Sequence, residues 1–111
     1  MTEQPPKEDT LFILKELEAN PNSTQRDISS RLNISLGKTN YLLHELILKS
    51  FIKVKRFTDN SGKLRKIQYL LTKKGLEERF NLLKHFLQIK EVEYNQLKQE
   101  MEYSLNSRSS A

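Results

Sequence analysis

The chain has 111 residues, 36% apolar and 30% charged, with three glycines, three prolines and no cysteine. That is room for one domain, and it excludes disulfide frameworks, cysteine-based zinc sites and thiol nucleophiles. The net charge of +5 is local: residues 1–52 sum to −1 and residues 67–111 to +1, so the whole excess sits in residues 53–66.

Met1-Thr2-Glu3-Gln4-Pro5-Pro6 has neither the basic start nor the apolar core of a signal peptide. The longest apolar run, Leu11-Phe12-Ile13-Leu14, is far too short to span a membrane. No membrane partner is expected, and the expected compartment is the cytoplasm. Residues 1–5 read as a disordered tail. A first helix is predicted from about Pro6 to Ala19, because Pro suits the first helical position and Glu8 and Asp9 favour the positive end of the helix dipole. Leu11, Leu14 and Leu17 form its inward stripe, widened by Phe12 and Ile13.

Thr24-Gln25-Arg26-Asp27 reads as an N-cap with an acid three residues on. A short helix follows to about Leu32, burying Ile28 and Leu32. Ser35 is a good N-cap for a third helix, Leu36 to about Lys49, whose inward positions are Thr39, Leu42, Leu43, Leu46 and Ile47. From Ile52 to Phe57 apolar and basic residues alternate, with Lys53 and Lys55 opposite Ile52 and Val54, which is the period of a half-buried strand. Thr58-Asp59-Asn60-Ser61-Gly62-Lys63 is a turn cluster, and alternation resumes from Arg65 to Leu71. The result is a β-hairpin with a basic tip, which suits a polyanion or serves only as a solvated face.

Thr72 caps a last helix that runs to about Leu105, roughly 50 Å at ~1.5 Å per residue, too long for one small globule to cover. Positions 80, 87, 94 and 101, with 76, 83, 90 and 97, form a seven-residue repeat interrupted at Lys90. The domain takes Leu76, Phe80 and part of 82–86, which leaves Leu83, Phe86, Leu87, Tyr94, Leu97 and Met101 as an expected dimer interface. Residues 106–111 read as a second disordered tail. Residues 6–75 form the expected globular domain and 76–105 the expected dimerisation helix.

Two short helices joined by a three-residue link describe a helix-turn-helix, and the order helix, helix, helix, strand, strand, helix is that of a winged helix. The fold class is therefore mainly α with a small β-hairpin. The segment Thr24–Ser35 resembles the motif entry of MarR-type transcriptional regulators, and Tyr69-Leu70-Leu71-Thr72-Lys73-Lys74-Gly75 resembles their junction from second wing strand to last helix. Residues 34–41 and 49–55 are similar to the exopolysaccharide-associated regulators of that superfamily. The resemblance spans roughly residues 8–104. It implies a homodimeric, sequence-specific, double-stranded-DNA-binding regulator, with pairing placed on the last helix because few residues precede the first.

The third helix, if it buries Thr39, Leu43 and Leu46, turns Lys38, Asn40, Tyr41 and His44 outward. The start of the second motif helix is placed to touch base edges in the major groove; Asn pairs bidentately with adenine, and Lys reaches guanine or a phosphate. Gly37 costs helix stability, which suits either close approach to a DNA backbone or relief of packing against the second helix. Tyr41 suits a thymine methyl, a phosphate or a shielding role, and His44 a phosphate or solvent. Ser35 caps first, with any phosphate contact secondary. Thr24 and Gln25 lie where helix N–H groups meet a phosphate. Arg56, Lys63, Arg65 and Lys66 of the wing suit backbone or an A·T-rich minor groove. A twofold dimer implies an inverted-repeat operator.

No catalytic group, metal site or cofactor is expected: His44 and His85 fall on different helices without a third partner, and no phosphate loop or metal-ligand spacing occurs. No small-molecule effector is indicated. The rival reading is a winged helix that does not read DNA and docks another protein through its last helix. The basic wing separates the two.

Overall fold

The computed structural model describes residues 7–109. Its elements are α1 (Glu8–Ala19), α2 (Gln25–Leu32), α3 (Leu36–Leu48), β1 (Ile52–Thr58), β2 (Leu64–Leu71) and α4 (Lys73–Ser109). The expectations for residues 1–5, for Pro6 and for residues 110–111 lie outside the described residues.

The boundaries of α2 and α3 have local causes. At α2 the hydroxyl of Thr24 accepts from Asp27 N at 3.1 Å while the Asp27 carboxylate accepts from Thr24 N at 3.0 Å, so both ends of the capping box close. Asn33 ends α2 in the left-handed region at φ 54°, and Ile34 N reaches back to Ser29 O. Ser35 then caps α3 by accepting from Lys38 N at 3.0 Å. Ser50, at φ 63°, ends α3 in the same way, with Phe51 N donating to Leu46 O at 2.9 Å.

The core is shared by every element. Leu11, Ile13, Leu14 and Leu17 of α1 pack with Ile28, Leu42, Leu43 and Leu46, closed by Ile52, Tyr69 and Leu82. Thr39 is also buried, its hydroxyl donating to Ser35 O at 2.8 Å. The predicted phase of α3 is therefore correct. On α1 the stripe is narrower than expected: Ile13 is buried, but Phe12 is exposed.

The two strands pair antiparallel, Ile52 with Leu71 and Val54 with Tyr69, with an irregularity at Phe57/Thr58. An isolated bridge ties the hairpin to the loop before α2, where Tyr69 N donates to Ser23 O at 2.9 Å. This order and packing make a winged helix-turn-helix followed by a long C-terminal helix.

The start of α4 is locked to the end of α3. Thr72 N donates to Phe51 O, the Thr72 hydroxyl donates to Ser50 O at 2.7 Å, and that hydroxyl accepts from Gly75 N at 3.0 Å. A Cβ on Gly75 would lie 2.1 Å from Phe51 O, so only glycine allows this approach.

Two expectations for α4 need correction. The helix continues to Ser109, beyond Leu105, so residues 106–109 are not a tail. The domain does not take Leu76 and Phe80, which is 62% exposed; it takes Leu82, which is 7% exposed, and Phe86. Phe86, expected in the dimer interface, is half-buried against the domain core. The reason is angular: Gly75, Arg79, Leu82 and Phe86 share one helix face, and Leu76 and Phe80 lie on the next. Arg79 holds this face by pairing with Glu18 of α1.

Candidate nucleic-acid interface

Because α3 turns Thr39, Leu42, Leu43 and Leu46 into the core, its other face is open. Ser35, Gly37, Lys38, Asn40, Tyr41 and His44 are all exposed. Besides Ser35, whose hydroxyl caps α3, two of them are engaged within the chain. Lys38 Nζ lies 2.5 Å from the Asp9 carboxylate, and Lys7 Nζ sits 4.7 Å above the Tyr41 ring while also lying 3.8 Å from Glu45. Asn40 and His44 have no side-chain partner among the described residues.

Gly37 has two readings, and the geometry favours one. A Cβ built there meets nothing within 4 Å, so packing against α2 does not require a glycine. What the absent side chain leaves is open surface at the start of α3.

Gln25 has a role that the sequence pattern did not show. Its Nε2 donates to Leu36 O at 3.0 Å, tying the first turn of α2 to the first turn of α3. Thr24 is likewise committed to its capping box. The carboxyl of Asp27 is held below its ordinary range, first by the Thr24 N–H and then by the Thr24 hydroxyl.

At the wing, Asp59 organises the turn. Its Oδ1 accepts from Ser61 N at 2.9 Å, from the Ser61 hydroxyl and from Lys63 N at 3.0 Å, and Gly62 completes the turn at φ 83°. Arg65 reaches its other oxygen at 2.6 Å. These contacts, the Ser61 hydroxyl foremost, lower the Asp59 pKa. Lys66 lies 5.0 Å over the Phe57 ring, and Lys53, Lys55, Arg56 and Lys63 are exposed.

An open groove of about 560 Å³ joins the two halves of the site. Thr24, Gln25 and Arg26 from the start of α2 form one wall, Leu36 marks the start of α3, and Arg65 and Lys66 come from the wing. The fold thus gathers residues that the sequence placed in separate segments. The sequence pattern alone does not single out Arg26. Its signal was available, a cation in the first turn of a capped helix, but only the groove shows that it faces Arg65 and Lys66. Among the described residues, no group of His, Cys, Asp or Glu could hold a metal ion, and no helix is long and apolar enough to cross a membrane.

Residues 10–53 match a protein family described as winged helix-turn-helix DNA-binding. No curated protein matches the sequence. Among solved structures the chain is similar to the PcaV transcriptional regulator from Streptomyces coelicolor in complex with its natural ligand. The two are 18% identical, with a TM-score of 0.68 over 99% of this chain and 78% of that one. It is also similar to a PadR-like transcriptional regulator from Bacillus cereus, at 22% identity and a TM-score of 0.67 over 79% and 89% of the two chains. A third likeness is to a mutant of MepR from S. aureus bound to oligodeoxyribonucleotide, at 24% identity and a TM-score of 0.56 over 91% and 78%. At these identities the likeness establishes the fold.

Proposed function

We propose that this protein is a sequence-specific, double-stranded-DNA-binding transcriptional regulator that acts as a homodimer. One observation carries the reading: the open face of α3 begins at the same groove that Arg26, Arg65 and Lys66 line. A helix that enters the major groove brings its first turns to base edges while cations beside it take the flanking phosphates. The family match over residues 10–53 supports the same assignment.

On this reading α3 docks with Asn40 as the reader of one base, adenine being its natural partner. Lys38 exchanges Asp9 for a guanine or a phosphate, and Gly37 lets the helix start approach the duplex. Tyr41 and His44 lie farther along the same face. Ser35, Thr24 and Gln25 hold the helix starts in position, where their N–H groups face a phosphate. Arg56, Lys63, Arg65 and Lys66 of the wing follow the backbone or an A·T-rich minor groove. Residues 6–75 are the reading unit. The segment 76–105 is the pairing unit, through Leu83, Leu87, Tyr94, Leu97 and Met101. Two copies present two reading helices, so the operator is an inverted repeat with half-sites about one turn, ~10 bp, or a multiple apart. The resemblance of residues 34–41 and 49–55 supports a link between the regulated genes and exopolysaccharide functions. The protein works in the cytoplasm without catalysis or cofactor.

The test is selection of bound fragments from genomic DNA, followed by titration with salt. About four to eight basic groups per dimer displace counterions, so affinity falls steeply as salt rises. Asn40→Ala relaxes preference at one base position, at a cost of about 1–3 kcal/mol. Replacing Lys63 and Arg65 by Ala weakens binding to all sequences alike and flattens the salt slope. No binding at low salt overturns the assignment and leaves the protein-docking reading in its place.

A further inference from the structure

We propose that the C-terminal helices of two copies pair antiparallel, in one register, with the twofold axis passing between Gln88 and Ile89. The proposal rests on the homodimer reading and goes beyond it in specifying orientation and register. Its first basis is the seam itself. Because the domain uses the Gly75, Leu82 and Phe86 face of α4, the neighbouring stripe from Leu76 to Met101 is bare from end to end. Phe80 is 62% exposed, Leu87 56% and Leu97 66%. Its positions alternate by four and three residues, the spacing at which two helices interlock, and Lys90 is its one charged member.

The two possible orientations treat Lys90 differently. Parallel pairing sets every seam residue against its own copy, so two ammonium groups meet in the interior of the seam. Antiparallel pairing sets Lys90 against the partner's Leu87. The same shift sets Phe80 against the partner's Leu97 and Leu83 against the partner's Tyr94. Lys90 Nζ lies 4.0 Å from the Glu93 carboxylate on the seam's edge. Its stem can therefore cover the partner's leucine while its charge stays in water.

The flank of the seam distinguishes the orientations independently. Glu77, Lys84, Glu91 and Lys98 follow one another at seven-residue spacing along one edge, alternating in sign, and all are exposed. In the antiparallel register this edge meets itself reversed: Glu77 faces the partner's Lys98, and Lys84 faces the partner's Glu91. Symmetry repeats both pairs. Parallel pairing instead sets Lys84 beside the partner's Arg79, cation against cation. Exposed ion pairs contribute little each, but the antiparallel edge is matched at all four positions, whereas parallel pairing offsets its one matched contact, Glu93 beside the partner's Lys98, with the cation pair, so the charges favour the antiparallel arrangement. The two winged domains then stand toward opposite ends of the paired segment, with the Phe80 positions about 25 Å apart along it.

The chain has no cysteine, so single thiols can be introduced cleanly. Leu83→Cys and Tyr94→Cys variants of the full chain, one carrying a size tag, are oxidised mildly, alone and mixed. The expected result is a mixed-size disulfide dimer from the mixture and none from either variant alone. Disulfides formed by each variant alone mean parallel pairing and overturn the proposal. A chain that sediments as a dimer but forms no disulfide pairs through another surface, which overturns this seam and leaves the dimer standing. A chain that sediments as a monomer at micromolar concentration overturns the dimer reading itself. Lys84→Glu gives a second readout. Antiparallel pairing predicts dimerisation weakened about tenfold and restored by adding Glu91→Lys, whereas tighter pairing by Lys84→Glu overturns the orientation.

Discussion

The two halves of α4 share one helix but differ in environment. From Gly75 to Phe86 the helix walls the domain core, with Leu82 buried and Arg79 paired across to α1. From Leu87 to Arg108 every residue is exposed, including Ile89, Val92, Tyr94, Leu97 and Met101. Apolar content does not separate the halves. What separates them is whether tertiary partners stand opposite the stripe. A hydrophobic stripe is a demand for cover, and the first half has its cover within the chain.

That contrast can be tested on stability. The largest expected loss is in the covered part: Leu43→Ala leaves a cavity at the centre of the core and costs about 2–5 kcal/mol by urea unfolding. Unchanged stability means that the phase assigned to α3 is wrong. Next comes the joint that holds the covered half of α4 in place. Gly75→Ala drives a methyl into the Phe51 carbonyl, and the displaced helix start costs about 1–3 kcal/mol. A tolerated alanine shows that α4 is held by Leu82 and Phe86 rather than by its first turn.

A smaller effect belongs to the cap of α2. Thr24→Ala costs about 1 kcal/mol. The Asp27 pKa is lowered in the fold, so its contribution is fully present above the ordinary carboxylate range and is lost as pH falls through the lowered folded value. Asp27→Asn therefore flattens this acid limb of the stability profile. At the opposite extreme, burial raises the Tyr69 pKa. The neutral phenol is favoured by the fold, so stability is present below about pH 10 and declines as pH rises beyond it. Tyr69→Phe removes that alkaline limb.

The smallest expected effect is in the bare half. At dilutions too low for pairing, Leu97→Ala changes the domain's unfolding free energy, measured in urea, by less than about 0.5 kcal/mol. A chain ended at Gln88 behaves likewise, since Leu82 and Phe86 are the last residues that the core uses. A large loss from either change means that the distal half supports the domain after all.

Much of this was legible in the sequence because its signals are local. Thr24, Ser35 and Thr72 lie one residue before helices α2, α3 and α4, and a hydroxyl at such a position meets N–H groups only a turn away. Alternation from Ile52 and from Arg65 located the strands, because a strand's period depends on its own backbone. The outward set on α3 followed from its inward set by the same geometry. Phe12, Leu76 and Phe80 were misplaced for one reason. An apolar side chain advertises that it can be buried, but not against what, and on a helix with two adjacent apolar stripes the period fits both.

The sequence by itself determined which residues cap, which alternate and which cannot be cysteine chemistry, since each depends on neighbours within a turn or a hairpin. Tertiary structure alone decided which stripe of α4 the domain takes. A glycine at 75 and the Phe51 carbonyl meet across a gap in the chain that no local pattern encodes, and their close approach sets the rotation of the whole helix. It also decided that Arg26 joins Arg65 and Lys66 in one groove. These distant segments are brought together by the common burial of Ile28, Tyr69 and the α1 leucines and by the backbone bridge from Tyr69 to Ser23, which are properties of the packed core rather than of any one segment.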